Sequence, residues 1–316
     1  MKSTTYTLTD PSSLDLHAQT AETCTWQGHA ALKLNGLAVL PGVRQREGRI
    51  EAWIGAEGTC YPGIAFRVQD ERDYELAYPQ PHTSGQWDAL QYDPVINGTN
   101  TWQLYHGLPY QKAVEVPTGR WFLLRVDYKG RRAAISLDGQ PPLVVERLAH
   151  PIQAGGVGVW TYLPAYFRDL RLSSVAEMPK GAGVIPRQPA GLVKGWEADG
   201  LGVLACEPNG TINLNRYLPV ETKAVTLRKR FTTGRARTLL LSFGFSDVLE
   251  LSLDGEQVYS GEHLWRDLPV WKERGYVDIH YAQVTLEVPA GEHELVAQLG
   301  KKEYFGWGLI MKMGKG

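Results

Sequence analysis

Cysteine is scarce in this chain of 316 residues, and the three present, Cys24, Cys60 and Cys206, form no C-x-x-C pair and no spacing that a metal ion uses. They read as free, buried thiols, and the odd count points to a reducing compartment. Excess charge of either sign is missing too. Thirty-three Lys and Arg stand against 34 Asp and Glu, a formal net charge of -1, so no electrostatic surplus exists to hold a phosphate backbone, and nucleic acid is not an expected partner. No segment is long and apolar enough to span a membrane, and the opening MKSTTYTLTD lacks the apolar stretch of a signal peptide, which makes the expected location cytoplasmic. The eight histidines offer no H-x-H or H-E-x-x-H spacing, and neither a G-x-S-x-G elbow nor a phosphate-binding glycine loop occurs. Metal and cofactor are therefore expected to be absent, and esterase and nucleotide chemistry lose support.

What the chain does have is alternation. At 43% hydrophobic it can bury a substantial core, and its apolar residues alternate with polar ones in short runs broken by Gly, Pro, Asn or Asp. The runs GRIEAWIG (48–55), PGIAFRVQ (62–69), YELAYPQ (74–80), WFLLRVDY (121–128) and AAISLDG (133–139) are of this kind. That rhythm predicts antiparallel strands in a sandwich, and no amphipathic helix competes with it. Residues 176–195 concentrate Pro and Gly without periodicity, and new alternating runs begin after them. The expected organisation is all-β with two jelly-roll sandwiches in tandem: a first domain over 1–178, a linker over 179–194 and a second domain over 195–316. The phrases ISLDGQ and LSLDGEQ are each read as a strand entering an Asp-Gly turn, not as an internal duplication.

The period of two also assigns faces. With Ile64, Phe66, Val68 and Leu76 taken as core, the opposite face carries Arg67, Glu75, Gln91, Gln103 and Tyr105, with Ala65, Ala77 and Ala89 between them. Arginine, carboxylate and carboxamide groups beside alanines describe the floor of a groove. Trp160 falls on the non-core side of GGVGVWTY (155–162), where an indole serves as a stacking platform for a sugar ring. The sequence holds 10 Trp and 15 Tyr against 7 Phe, which favours aromatics that tolerate a wet edge. His82 and His106 fall near the same groove. Glu71, Asp73 and Glu75 stand at alternate positions, as in the catalytic strand of lichenase-like glucanases, but the continuous polar run Gln69 to Asp73 reads as a hairpin loop.

The succession GIAFRVQD, DYELAYPQP, GRWFLLRVDYKGRRAAISLDG and GGVGVWTYLPAYFRDLRL resembles the laminin-G-like, concanavalin A-like jelly roll. Within that superfamily it is most similar to 3-keto-disaccharide hydrolase domains, whose pattern would fall on Phe66-Arg67, Tyr74-Glu75 and Phe167-Arg168. One polar residue of that pattern is replaced by Ala77. Residues 195–316, through VTLRKRF, LELSLDGEQVYSG, VTLEVPAGEHELVAQLG and FGWGLIMKM, resemble galactose-binding-like sandwiches. Taken together, the expected partner is a saccharide or glycoside. The preferred function is carbohydrate binding in the first-domain groove, with Gln91, Gln103, Tyr105 and Trp160 as ligand contacts. The runner-up is a glycoside hydrolase or lyase with Glu75 as acid or base, Arg67 polarising a sugar oxygen and Asp93 as the second carboxylate. A protein-binding scaffold is the third.

Overall fold

The computed structural model describes residues 3–185, 188–265 and 275–315. It is all-β, with three short 3-10 turns and no α-helix among the described residues, and no helix among them is long and apolar enough to cross a membrane. The chain divides into two compact units. The first comprises residues 1–98 and 105–185, the second residues 99–104 and 186–316. The sequence reading gives residues 99–104 to the first domain; in the structure they pack with the second.

The strands of the first part of the chain are β1 (Ser3–Tyr6), β2 (Asp15–Trp26), β3 (His29–Val39), β4 (Gly48–Gly55), β5 (Gly63–Val68), β6 (Glu75–Pro79), β7 (Leu90–Tyr92), β8 (Val95–Ile96), β9 (Thr99–Asn100), β10 (Gln111–Lys112), β11 (Trp121–Lys129), β12 (Arg132–Leu137), β13 (Leu143–Val145) and β14 (Gly156–Ser173). The second part contributes β15 (Gly195–Ala198), β16 (Gly202–Ala205), β17 (Thr211–Asn213), β18 (Ala224–Thr233), β19 (Arg237–Phe245), β20 (Asp247–Leu253), β21 (Glu256–His263), β22 (Ala282–Val288), β23 (Gly291–Gly300) and β24 (Gly308–Lys315).

In the first unit one sheet runs β10-β7-β6-β5-β14-β4-β11-β12-β13, with β1 and β3 also on β14 and β2 on β3. The long β14 makes this possible. Its first half lies between β3 and β5, and its second half, still paired with β3 over 165–167, also pairs with β4 and β1. A bulge between Thr161 and Ala165 marks the change, as expected where a strand turns a sandwich corner. Two layers result, and their inner faces meet: the ring of Phe66 on β5 lies 4.9 Å from that of Tyr128 on β11. Between the layers Ile54, Ile64, Phe66, Phe122, Leu124, Val126, Val159 and Phe167 are fully buried. Apolar burial of this kind contributes about 25 cal/mol per Å² removed from water.

The second unit is a sandwich of a six-stranded sheet, β16-β15-β18-β23-β20-β21, and a four-stranded sheet, β17-β24-β19-β22. Trp196, Phe243, Phe245, Leu249, Leu295 and Leu309 belong to its core. Its β20 and β21 are joined at Asp254-Gly255, both at positive φ (50 and 87), the backbone that a tight hairpin turn demands and that Asp and Gly tolerate best. The three cysteines are free. Burial pushes the Cys60 thiol up to about 11 and that of Cys206 up to about 12, which leaves both poor nucleophiles.

Candidate functional site

Register decides which side chains share a face. Ile64 stands opposite Ala77, Ala65 opposite Leu76, and Phe66 opposite Glu75. Directly opposed residues point to the same side of an antiparallel pair. Glu75 therefore lies with Phe66 on the inner, core face, while Leu76 lies with Ala65 on the outer face of the first layer. This corrects the expected placement of Glu75 in an open groove. Both faces of β5 and β6 are apolar, so apolarity alone marks neither as the core.

Arg67 is corrected for a second reason. It is the extra residue of a bulge, because Gly156 pairs with Val68 and Val157 with Phe66, and its φ of 51 lies in the left-handed region. Alternation breaks there. A Cβ on Gly155 would meet the Arg67 backbone at 2.3 Å, so the bulge needs glycine beside it. The Arg67 side chain, 1% exposed, runs inward over the Tyr128 ring at 5.3 Å. It donates to the carbonyls of Arg46 (3.0 Å) and Gly130 (2.6 Å). Glu75, fully buried, accepts from the Tyr92 hydroxyl at 2.5 Å and the His150 amide at 3.1 Å. Burial lowers the Arg67 guanidinium from its ordinary value, and the nearby Glu75 charge is the main influence opposing that. Burial, with Glu75 second, holds the Tyr92 hydroxyl un-ionised. These groups form an internal polar network, not a solvent-facing pocket.

Two further expected residues fall elsewhere. Residues 102–104 form a turn closed by the Leu104 amide on the Thr101 carbonyl, so strand alternation does not apply to them. Gln103 sits in the second unit, fully buried, with neither amide atom hydrogen bonded. Tyr105 packs its ring on Tyr92 (6.1 Å) and Tyr110 (5.2 Å), and its carbonyl accepts from the Gln91 amide at 3.3 Å.

Gln91, Asp93 and Trp160 do come together on one sheet face. Gln91 stands opposite Tyr78, and Trp160 stands opposite Gly63 on β5 and Leu37 on β3. Asp93, one residue past the inner-facing Tyr92, accepts from the Tyr78 hydroxyl at 3.2 Å. Gln91 also accepts from Gln111 at 3.0 Å. Burial, helped by the Asp93 charge, raises the Tyr74 hydroxyl well above its ordinary value. The face is closed over Leu37, Val39, Ala65, Tyr74, Leu76 and Tyr78. It opens at the half-buried Tyr61 and Trp160 and at the exposed His82 and Tyr162. Tyr78 is the hub: its ring lies 5.7 Å from Trp160 and 5.9 Å from Tyr61, and Tyr61 continues to His82 at 5.0 Å.

Neither Tyr78 nor Tyr61 is among the residues that the sequence singles out. The usable signal was parity, since Tyr61, Gly63 and Ala65 alternate toward the side that also carries Trp160. No group of three or more His, Cys, Asp or Glu among the described residues is arranged to hold a metal ion.

A second aromatic cluster, also missed, occupies the outer face of the other layer. Trp121 and Tyr166 flank Gly55, and Arg168 stands opposite Trp53. The Arg168 guanidinium lies 5.2 Å from the Trp53 ring centre and 5.0 Å from that of Trp121. Trp26 stacks on Tyr166 at 4.8 Å and donates to Glu57 at 2.8 Å. Of the Phe167-Arg168 pair singled out by resemblance, Phe167 is core and Arg168 belongs to this ladder.

No family model and no curated protein matches the chain. Among solved structures it is similar to the carbohydrate-binding module CBM66 from Bacillus subtilis, at 14% identity over 54% of this chain and 95% of that one, with a TM-score of 0.38. It is similar to a Bacillus subtilis protein of unknown function with a galectin-like fold, at 9% identity over 54% and 94%, TM-score 0.41. It is also similar to Bacillus licheniformis beta-glucanase, at 12% identity over 55% and 98%, TM-score 0.36.

Proposed function

We propose that the first unit binds a saccharide at the open part of the outer face of its first layer, with Trp160 as the stacking platform. Tyr61 and His82 form the rim. Gln91 and Asp93 act from beneath, Asp93 by fixing the Tyr78 hydroxyl. An aromatic face supplies apolar contact for the C–H side of a sugar ring, while phenol, imidazole and indole edges supply hydrogen-bond donors and acceptors.

The carrying observation is that Trp160, Gln91 and Asp93 share a face from which Glu75 is absent. Cleavage by paired carboxylates requires both to flank one glycosidic bond, about 5–10 Å apart across a common cavity. Glu75 and Asp93 lie on opposite faces of the sheet, and this favours binding over cleavage.

The test is calorimetric titration with gluco-, xylo- and manno-oligosaccharides, alongside a reducing-end assay. The wild type should bind at least one series, and Trp160→Ala should weaken it by at least about tenfold, near 1.4 kcal/mol, while the chain stays folded by circular dichroism. Undiminished binding by Trp160→Ala, or release of new reducing ends, would overturn the proposal.

A further inference from the structure

The bulge in β14 carries more than a change of layer. Thr161 points inward, 1% exposed, and its hydroxyl donates to the Leu163 carbonyl at 2.7 Å, clamping the turn. Leu163 adopts a φ of 65, a left-handed conformation that a leucine enters only when its surroundings enforce it. The Tyr61 amide donates to the Tyr162 carbonyl at 3.0 Å and ties the crest of the bulge to the strand entering β5. Tyr162 stands on that crest, 60% exposed, on the same side as Trp160 two residues earlier, with its ring 5.8 Å from Tyr61. A corner requires the bulge. It does not require a tyrosine at the crest, where a polar residue would avoid exposing a ring to water.

We infer that Tyr162 is the platform of a second sugar subsite, so that the ligand of this face is an oligosaccharide lying across Trp160 and Tyr162, not a single sugar. The inference rests on the saccharide reading above and deepens it. Residues two apart on a strand are separated by about 6–7 Å, close to the spacing of neighbouring rings in an extended glycan. From Trp160 the rings continue through Tyr78 and Tyr61 to Tyr162 in steps of 5.7, 5.9 and 5.8 Å. Tyr78 is 5% exposed, Trp160 and Tyr61 are half-buried and Tyr162 is 60% exposed, so the buried Tyr78 ring backs the row and Tyr162 is its open end. No Lys or Arg among the described residues lies over Trp160 or Tyr162, so neither ring is capped by a cation.

The experiment measures affinity against chain length, using gluco-, xylo- and manno-oligosaccharides of one to six units with the full chain. Wild-type affinity should rise at least about tenfold between the single sugar and the trimer. Tyr162→Ala should flatten that rise, Tyr162→Phe should keep it because the ring and not the hydroxyl does the stacking, and Trp160→Ala should weaken every length. Length-independent binding by the wild type, or an unchanged length dependence in Tyr162→Ala, overturns this inference and leaves the saccharide reading standing. Failure of every oligosaccharide to bind the wild type overturns both.

Discussion

The two aromatic clusters of the first unit occupy the outer faces of its two layers and are built in opposite ways. In the ladder around Trp53 and Trp121, ring faces are taken up from within. Arg168 lies against both indoles, Trp26 stacks on Tyr166 and meets Trp121 edge-on at 4.8 Å, and Glu57 receives the Trp26 indole N–H. Next to it the same face carries ordinary cross-strand ion pairs, Arg49 with Asp127 and Arg125 with Glu51. Around Trp160 and Tyr162 no cation caps a ring among the described residues; Trp160 packs on the apolar cluster from one side only, half-buried, and Tyr162 is 60% exposed. Under the proposed reading, aromatic residues on a strand face serve as mortar where their faces are occupied and as platforms where they are open. Sequence composition does not distinguish the two.

The largest expected effect breaks the mortar. A Cβ on Gly55 would stand 2.2 Å from the Trp26 ring, so that ring fills the space above the glycine, and Trp26 is 7% exposed. Trp26→Ala should cost about 3–5 kcal/mol in urea unfolding and leave oligosaccharide affinity of the folded protein unaltered. A loss below about 1 kcal/mol would mean the cluster is not structural.

Next comes the buried network around Glu75 between the layers. Glu75→Gln removes a charged acceptor from the Tyr92 hydroxyl and the His150 amide and leaves Arg67 without its nearby charge, for a loss of about 2 kcal/mol. Binding to the sugar panel should persist. Abolished binding with unchanged stability would return Glu75 to the site and undo the face assignment.

Arg168→Met sharpens the comparison directly. Removing the cation while keeping an apolar stem should cost about 1 kcal/mol and open the faces of Trp53 and Trp121. Should the variant acquire a second sugar stoichiometry by calorimetry, an open ring face is sufficient for a platform. An unchanged stoichiometry would show that the polar groups around Trp160 are also required.

The smallest effect lies outside both clusters and serves as a control. In the second unit His293 places Nδ1 2.7 Å from Asp254 and Nε2 3.0 Å from the Pro289 carbonyl, both acceptors. The Asp254 hydrogen bond is the main cause that raises the imidazole above its ordinary 6.5, with burial opposing. A raised folded-state value means that the stabilisation is fully present below 6.5 and is lost as pH rises through the folded value. Thermal unfolding from pH 5 to 9 should show that decline in the wild type and lose it in His293→Gln. The aromatic variants of the first unit should keep it.

How far the site was legible is clearest residue by residue. Gln91 was given to the groove face and Trp160 to the non-core side of its strand by counting in twos, and register puts both on one face of the sheet. Glu75 was counted with the right parity relative to Tyr74 and Leu76 and assigned to the wrong side, because the count gives relative orientation and not which side is the core. Arg67 was lost to a bulge, Gln103 and Tyr105 to a turn that reads as a strand. Nothing in TYLP (161–164) announced a crest held by the Thr161 hydroxyl.

By itself the sequence determined the all-β class, the positions of strands such as 48–55 and, to within one residue, 121–128, and the Asp-Gly hairpin at 254–255. Those depend on local alternation and on backbone conformations that few residues tolerate, and both are written in neighbouring letters. The tertiary structure alone decided which face of β5 and β6 meets the core, that residues 99–104 pack with the second unit, and which rings are filled by Arg168. Those depend on strand register and on contacts between residues far apart in the chain, where a shift of one position exchanges the two faces of a strand.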